Sequence, residues 1–314
     1  MKILVTGVAG AIGSNLSERL ISLGHNVIGI DSFNDYYDVS IKKTNAHDIE
    51  KKGVMVINKN LVTDDISKEI KNVEMVYHLA AQPGISLATL FDDYLKNNII
   101  ATYKLIESVK NLPTLKAFIN GSTSSVYGPI AKGNEGSETK PNSYYGVTKL
   151  GAEQLALSYF RGQKLPVINL RLFSVYGERE RPDKFFYKLI KSIYENSELN
   201  MFEGSDKHMR SYTYVGDILD GCVSVLGHIE ECLGQTFNLG NGKSVSTKEA
   251  LKTVEELMGK KANIKIVPAR LGDQKETKAN IEKARKILGY NPRTDLRTGL
   301  KKQIDWYGEK IFRK

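Results

Sequence analysis

A chain of 314 residues with 41% hydrophobic and 26% charged residues has the composition of a globular protein, long enough for one large domain or two. No run approaches the roughly 18 apolar residues of a membrane span, no signal-peptide pattern is present, and Cys222 and Cys232 lack metal-like or redox-like spacing. A reduced, cytoplasmic protein with neither a metal nor a membrane partner is therefore expected. The net charge of +9 fits a lysine-rich surface or attraction of an anionic nucleotide; without a long Lys/Arg block or interleaved aromatics, it predicts no nucleic-acid partner.

The apolar run Ile3-Leu4-Val5 predicts a short buried strand, and Thr6-Gly7-Val8-Ala9-Gly10-Ala11-Ile12-Gly13 follows with glycines spaced G-x-x-G-x-x-G. Gly7 allows the tight turn, Gly10 the approach of a pyrophosphate, and Gly13 the packing of a helix on the sheet. That helix is predicted from about Ala11, with Leu16, Leu20 and Ile21 inward and its N-terminus aimed at phosphate charge. A second strand, Val27-Ile28-Gly29-Ile30, ends at Asp31. An acid at that place accepts adenosine ribose hydroxyls and repels a 2′-phosphate, so NAD is predicted over NADP.

Strands alternate with helical patterns through about residue 170, predicting right-handed βαβ units in a doubly wound parallel α/β sheet. Asn34-Asp35-Tyr36-Tyr37-Asp38 forms a polar loop over the adenosine, followed by a lysine-rich helix and strands at 54–57 and 75–79. His78 is read as a structural strand-end histidine. The small residues after it, in Leu79-Ala80-Ala81-Gln82, suit close approach of a cofactor. A helix is predicted over about 90–110, with Asn97 and Asn98 as packing amides. The strand at 117–119 runs into the hydroxyl cluster Ser122-Thr123-Ser124-Ser125 at its carboxyl end. Downstream, Tyr145 and Lys149 lie four apart on one helix face, in a helix whose apolar face includes Leu150, Leu155 and Leu157. An ammonium near a phenol favours the phenolate, and a phenol tuned toward neutral pH serves as general base and acid.

The glycine fingerprint, the hydroxyl cluster and Y-x-x-x-K together resemble the extended short-chain dehydrogenase/reductase family, in its NAD-dependent nucleotide-sugar epimerase/dehydratase group. The resemblance runs nearly end to end, through Leu170-Arg171-Leu172-Phe173-Ser174-Val175-Tyr176-Gly177, Arg181-Pro182-Asp183, Arg210-Ser211-Tyr212, Phe237-Asn238-Leu239-Gly240, Arg270-Leu271-Gly272-Asp273 and Leu288-Gly289-Tyr290-Asn291-Pro292. It implies a Rossmann-type NAD-binding domain over 1–172, to which some later segments return, and a smaller C-terminal α/β domain, mainly over 173–314, that binds a UDP-sugar. By the same resemblance Thr123 is the active-site hydroxyl, with Ser124 or Ser125 assisting, Tyr145 is the base and acid, and Lys149 holds the nicotinamide ribose. NAD contacts are implied for Gly7, Gly10, Ala11, Ile12, Gly13, Asp31, Asn34, Asn60, Leu61, Leu79, Ala80, Ala81, Gln82 and Asn98. Substrate contacts are implied for Pro83, Gly84, Ser174, Val175 and Arg181, with Arg210 and Arg270 on the diphosphate and Asp273 near the uridine ribose. Helices at about 90–110 and 142–162 form the dimer bundle in similar proteins, so a homodimer is expected.

Dehydratases of this group carry T-D-E-V-Y-G and decarboxylases resemble T-S-E-V-Y-G, whereas here Ser124 and Ser125 follow Thr123. With no carboxylate there for a further proton transfer, the resemblance implies 4-epimerisation: oxidation at C4 to a 4-keto sugar, then hydride return to the opposite face, with NAD tightly bound and recycled. UDP-glucuronate 4-epimerases are the most similar members, and UDP-glucose and UDP-N-acetylglucosamine 4-epimerases share the frame. A dehydratase or reductase and a non-catalytic NAD and nucleotide sensor are the rivals. Arg179, Arg181 and Lys184 are read either as attractors of a sugar carboxylate or as solvated surface charges. Asn60, Ser174 and Ser211 depart from the usual aspartate, asparagine and aspartate.

Overall fold

The computed structural model describes every residue except Leu87, Arg270, Leu271, Arg313 and Lys314. The N-terminal apolar run forms strand β1 (Lys2–Thr6). Its period-two alternation sends Ile3 and Val5 into the core on one face and Leu4 into the core on the other, all fully buried. β2 (Asn26–Asp31), β3 (Met55–Asn58), β4 (Met75–His78), β5 (Ala117–Thr123), β6 (Val167–Leu172) and β7 (Thr236–Leu239) complete the sheet. Every neighbouring pair is parallel, in the order β7-β6-β5-β4-β1-β2-β3. The order reverses between β1 and β4, where the strands' carboxyl ends open a crevice.

A parallel sheet needs covering on both faces. α1 (Ala11–Ser22) buries Leu16 and Leu20 against the Ile3 and Val5 face, with Ile21 only half-buried. On the Leu4 face, Leu105, Ile106 and Val109 pack beside Ala156 and Tyr159. These residues belong to a helix over 91–109 and to α3 (Tyr144–Gln163), with α2 (Val39–Glu50) preceding both in the chain.

Two helices differ from expectation. The helix predicted over 90–110 is α-helical at Phe91–Tyr94 and Ala101–Val109 but widens into a π-helix at Leu95–Ile100, a distortion common near functional sites. It carries Asn98, which clamps the chain after β4: Oδ1 accepts from Gln82 N at 2.7 Å, while Nδ2 donates to Gln82 O at 3.2 Å and Thr148 Oγ1 at 2.9 Å. In α3, Leu150, Leu155 and Leu157 are only half-buried, and the buried stripe is Thr148, Lys149, Ala152, Glu153, Ala156 and Tyr159. The helix turns this mixed face inward because Glu153 has a buried ionic partner on β6, described below.

After β6 the chain builds smaller sheets. Four short strands pair in the order Val245–Ser246, Met209–Arg210, Glu276–Thr277, Ile130–Ala131. Val175–Tyr176 pairs with Thr213–Tyr214, and Glu198–Phe202 with Asn263–Val267. β7 thus reaches the central sheet from beyond residue 172, and Ile130–Ala131 reaches the smaller sheet from before it. Among the described residues no helix is long and apolar enough to cross a membrane, and no His, Cys, Asp and Glu group is placed to hold a metal.

His78 pins β4 to its neighbours. Thr102 gives its hydroxyl proton to Asn98 O at 2.6 Å, so His78 Nε2–H is the donor to Thr102 Oγ1 at 2.9 Å, and Nδ1 accepts from Thr6 Oγ1 at 2.8 Å. Burial, with a smaller contribution from the Lys149 charge, pushes its pKa down to about 3. The unfolded chain takes up this proton near pH 6.5 and the folded chain does not, so the stability is intact above pH 6.5 and is lost as pH falls toward 3. His78→Gln removes this linkage. The difference in urea-unfolding free energy between wild type and His78→Gln is expected to narrow below pH 6.5, by up to about 1.4 kcal/mol per pH unit; a constant difference from pH 7 to 4 contradicts the assignment.

Candidate active site

The glycine turn is built by close backbone approach. Gly7 sits at φ +69, where a Cβ would come 2.8 Å from Ala80 N and 2.9 Å from Leu79 C. A Cβ on Gly13 would strike the carbonyl oxygen of Gly7. The turn therefore has no room for side chains between β1, β4 and α1. Gly10 N-caps α1 without any side chain bonding the helix end, so the first-turn N–H groups, which have no intrahelical acceptor, open into the crevice. Gly7, Gly10, Ala11, Ile12 and Gly13 all line one cleft there. At the end of β2, Asp31 also lines it, its carboxylate aimed by Ala9 N (3.1 Å) and Phe33 N (2.9 Å). A bare cradle, a helix N-terminus and an oriented acid fit a dinucleotide.

Asn34, Asn60, Leu61, Leu79, Ala80, Ala81, Pro83, Tyr145, Lys149, Val175 and Arg181 line the same cleft. Gln82 and Asn98 stand behind its wall, holding each other. Gly84 lies beside it, its carbonyl taking a 2.8 Å hydrogen bond from the Tyr94 hydroxyl. Two lysines of the lining, Lys42 and Lys59, had no marker in sequence. Lys42 is buried on α2 and donates to Asn34 O and Oδ1, each at 2.7 Å, with its ammonium 4.7 Å from the Tyr37 ring centroid. Burial lowers its pKa against the opposing pull of Asp31. Lys59, Tyr36, Tyr37, Asn97 and Ser122 also face the cleft. Only α2's amphipathic spacing, with Ile41, Asn45 and Ile49 buried, separates Lys42 from its exposed neighbour Lys43.

The chemical groups converge where β5 meets α3. Ser143 caps α3 by accepting from Gly146 N at 3.1 Å, and the first two turns present Tyr145 and Lys149. The Thr123 hydroxyl faces the Tyr145 phenol and favours its ionised form. Thr123 Oγ1 also accepts from Ser125 N at 3.1 Å and lies 3.3 Å from Ser125 Oγ. Lys149 was expected to lower the phenol's pKa, but the structure sets a different balance. Desolvation dominates and raises it, opposed by the Thr123 hydrogen bond and the charge of Arg181. Lys149 is itself buried, with its pKa pushed down to about 8 by desolvation and pulled back by Glu153.

Glu153 belongs to a buried network one helical turn beyond Lys149. Its Oε1 accepts from Arg171 Nη2 at 2.5 Å, and its Oε2 accepts from Arg171 Nε at 3.0 Å and from Ser122 Oγ at 2.8 Å. Both side chains are almost fully buried, at 0% and 4% exposure, and Arg171 also donates to the Tyr127 hydroxyl at 2.7 Å. A buried pair persists only when its remaining donors and acceptors are satisfied, as here.

At the far end, Arg181 forms a two-pronged bond to Asp183, Nε to Oδ1 at 2.9 Å and Nη2 to Oδ2 at 3.0 Å. Lys184 faces the cleft and donates to Val175 O at 2.8 Å. Arg179 turns away, to Glu18 at 2.6 Å, so of the three candidate carboxylate attractors only Arg181 and Lys184 reach the cleft. Ser174 takes φ +33 and accepts from Thr213 N through its carbonyl at 3.2 Å. Arg210 lies on the smaller sheet, bonded to Met209 O and Gln274 O, with Asp273 close to His208. Arg270 lies outside the described residues. Ser211 is buried, donating its N–H to Thr277 Oγ1 at 2.9 Å and its hydroxyl to Asn241 O.

Residues 3–240 match the NAD dependent epimerase/dehydratase family. Over 309 residues the chain is 38% identical to a Bacillus subtilis (strain 168) protein, the uncharacterized UDP-glucose epimerase YtcB, covering 97% of each. It is 36% identical over 327 residues to UDP-glucuronate 4-epimerase 3 of Arabidopsis thaliana, covering 97% of this chain and 76% of that one. Among solved structures it is similar to UDP-glucuronic acid 4-epimerase from Bacillus cereus in complex with UDP-glucuronic acid and NAD. There the TM-score is 0.94 at 36% identity, over 98% of this chain and 99% of that one.

The raised phenol is directly measurable. In the cofactor-free chain, the 295 nm titration of wild type minus that of Tyr145→Phe is expected to have its midpoint above pH 10, moving higher still in an Arg181→Gln background. A midpoint near 7 without cofactor contradicts the dominance of desolvation.

Proposed function

The chain belongs to the NAD dependent epimerase/dehydratase family, and from that premise we propose that it interconverts the C4 epimers of a UDP-sugar, with UDP-glucuronate and UDP-galacturonate as the preferred pair. The observation that carries this reading is the Tyr145 phenol and the Lys149 side chain lining one cleft with the glycine turn and Asp31, the Thr123 hydroxyl acting on that phenol from the end of β5, with Ser124 and Ser125 where other members carry acids. The Bacillus cereus relative, crystallised with UDP-glucuronic acid and NAD, supports it.

In this mechanism Gly7, Gly10, Gly13, Asp31 and Lys149 would hold NAD, which when bound would supply a reversible acceptor for the hydrogen at C4. As the phenolate, which the positive charge of bound NAD would favour, Tyr145 Oη takes the proton of the C4 hydroxyl, with Thr123 Oγ1 fixing that oxygen and Ser124 or Ser125 assisting. Lys149, charged below about pH 8, holds the ribose, while Thr123 and Arg181 oppose the desolvation that keeps the phenol protonated. The 4-keto sugar turns over while Arg210 and Arg270 retain its diphosphate, and Tyr145 returns the proton to the new hydroxyl. Fixing the reacting groups and placing charge is the chain's share of catalysis. Asn34, Asn60, Leu61, Leu79, Ala80 and Ala81 complete the cofactor wall, and Pro83, Val175 and Asp273 the sugar and uridine side. The division near residue 172 separates these two tasks.

Arg181 is the group we assign to a C6 carboxylate, since its charge reaches both the cleft and the Tyr145 phenol. A neutral sugar, UDP-glucose, is the second reading, favoured because Asp183 already balances the Arg181 charge. A homodimer in the cytoplasm is the proposed working form. It is supported by exposed apolar residues on the two outer helices, among them Phe91, Ile100, Tyr103, Tyr144 and Val147, and by two buried, free cysteines. Exposed apolar residues grouped on a face are a feature of protein–protein interfaces.

Incubation with UDP-glucuronate, UDP-glucose and UDP-N-acetylglucosamine, with products separated by C4 stereochemistry, tests the reading. UDP-glucuronate is expected to have the highest kcat/KM. Arg181→Gln is expected to lower that value roughly 100-fold, as loss of a charge-assisted bond does, and to lower UDP-glucose turnover by a smaller factor, the share that comes from the higher Tyr145 pKa. Equal losses on both sugars overturn the carboxylate assignment, and no epimer from any sugar overturns the reaction.

A further inference from the structure

The turn that carries Thr123 and the strand that carries Arg210 are far apart in sequence, yet one residue bridges them. β5 ends at Thr123, and the chain enters a single 3₁₀ turn, Ser124–Tyr127, before Gly128. Gln274 is buried, and its amide closes that turn from outside. Nε2 donates to the carbonyls of Gly128 at 3.0 Å and Ser124 at 3.2 Å, and Oε1 lies 3.4 Å from Ser124 Oγ, at the long limit of a hydrogen bond. The main-chain carbonyl of the same residue accepts from the Arg210 guanidinium. Two residues on, Glu276–Thr277 pairs with both Met209–Arg210 and Ile130–Ala131, so the backbone ladder makes the same connection.

Burying an amide is unfavourable unless its hydrogen bonds are made. Both amide hydrogens of Gln274 serve carbonyls at the start of the turn and just past its end, which fixes the path of the chain leaving Thr123. Thr123 in turn faces the Tyr145 phenol and favours its ionised form. We propose that Gln274 is a positioning residue that ties the Arg210 strand to the Thr123 turn, so that a UDP-sugar gripped at its diphosphate meets Thr123 and Tyr145 in register. Gln274 acts through the turn and does not touch the sugar. This inference rests on the reading of the chain as a UDP-sugar 4-epimerase. Small misplacements of reacting groups cost large factors in rate, so the loss belongs in kcat.

Gln274→Met keeps the volume and removes both donated bonds. In the NAD-loaded protein it is expected to lower kcat roughly tenfold and shift KM for the UDP-sugar less than twofold. If that variant does not fold, Gln274→Asn, which shortens the reach by one methylene, is expected to show the same pattern with a smaller drop. The discriminating measurement is the same substitution in a Thr123→Ala background: if Gln274 works by placing Thr123, its penalty falls below about twofold there. Unchanged kcat in either single variant, or an undiminished penalty beside Thr123→Ala, overturns the proposal. A wild-type chain that epimerises no UDP-sugar overturns instead the reading beneath it, and that is visible in the wild-type arm alone.

Discussion

Backbone meets backbone at the carboxyl ends of β1 and β4, and the rest of the site depends on that contact. Because a Cβ on Gly7 would fall within 3 Å of Ala80 and Leu79, the two strand ends close against one another with no side chain between them. The crevice floor is therefore bare peptide, α1 enters it N-terminus first, and Asp31 at the next strand end is held by the turn's own N–H of Ala9. Thr6, His78 and Thr102 lock the same two strands from behind with hydrogen bonds of 2.8 and 2.9 Å. A steric limit at one residue thus sets where a pyrophosphate, a ribose and, farther along the edge, a reacting carbon are able to lie.

Electrostatics at the reacting end is a contest that desolvation wins in the free chain. Tyr145 is raised and Lys149 lowered, each toward its neutral form, because both have left water. The opposing influences are specific and local: Thr123 and Arg181 for the phenol, Glu153 for the ammonium. The Glu153–Arg171 pair is held in a dry interior by bonds to Ser122 and Tyr127, and removing one partner of such a pair typically costs about 3–5 kcal/mol. A site whose phenol is held neutral and whose ammonium loses its proton near pH 8 is poised for a change in local charge, which a bound cationic ring and an anionic substrate bring.

Much of this was legible in sequence where the signal is short-range. The glycine spacing, the acid ending β2 and the four-residue step from Tyr145 to Lys149 each report a local geometry, and the structure places all of them on one cleft. The features that escaped depend on contacts between distant segments. Nothing in the 90–110 pattern announces the π-helix, whose Asn98 is bonded to Gln82 and Thr148 on other segments. The leucines of α3 suggested an apolar inner face, but the partner that draws Glu153 inward is Arg171 on β6. Lys42 reads as one more surface lysine until the loop Asn34–Tyr37 folds over it. Arg179 reads like Arg181 two residues on, yet its positive φ of 64 turns it toward Glu18.

The account makes C4 the only carbon whose hydrogen leaves and returns, and makes that return internal to one catalytic cycle. Its most direct test uses a UDP-sugar substrate carrying deuterium at C4, incubated with the NAD-loaded chain in ordinary water, with both epimers isolated and analysed by NMR. The account predicts that the deuterium is found undiminished at C4 of the product epimer, with no solvent hydrogen at C4 or C5. Loss of the label to solvent, or exchange at C5, contradicts it.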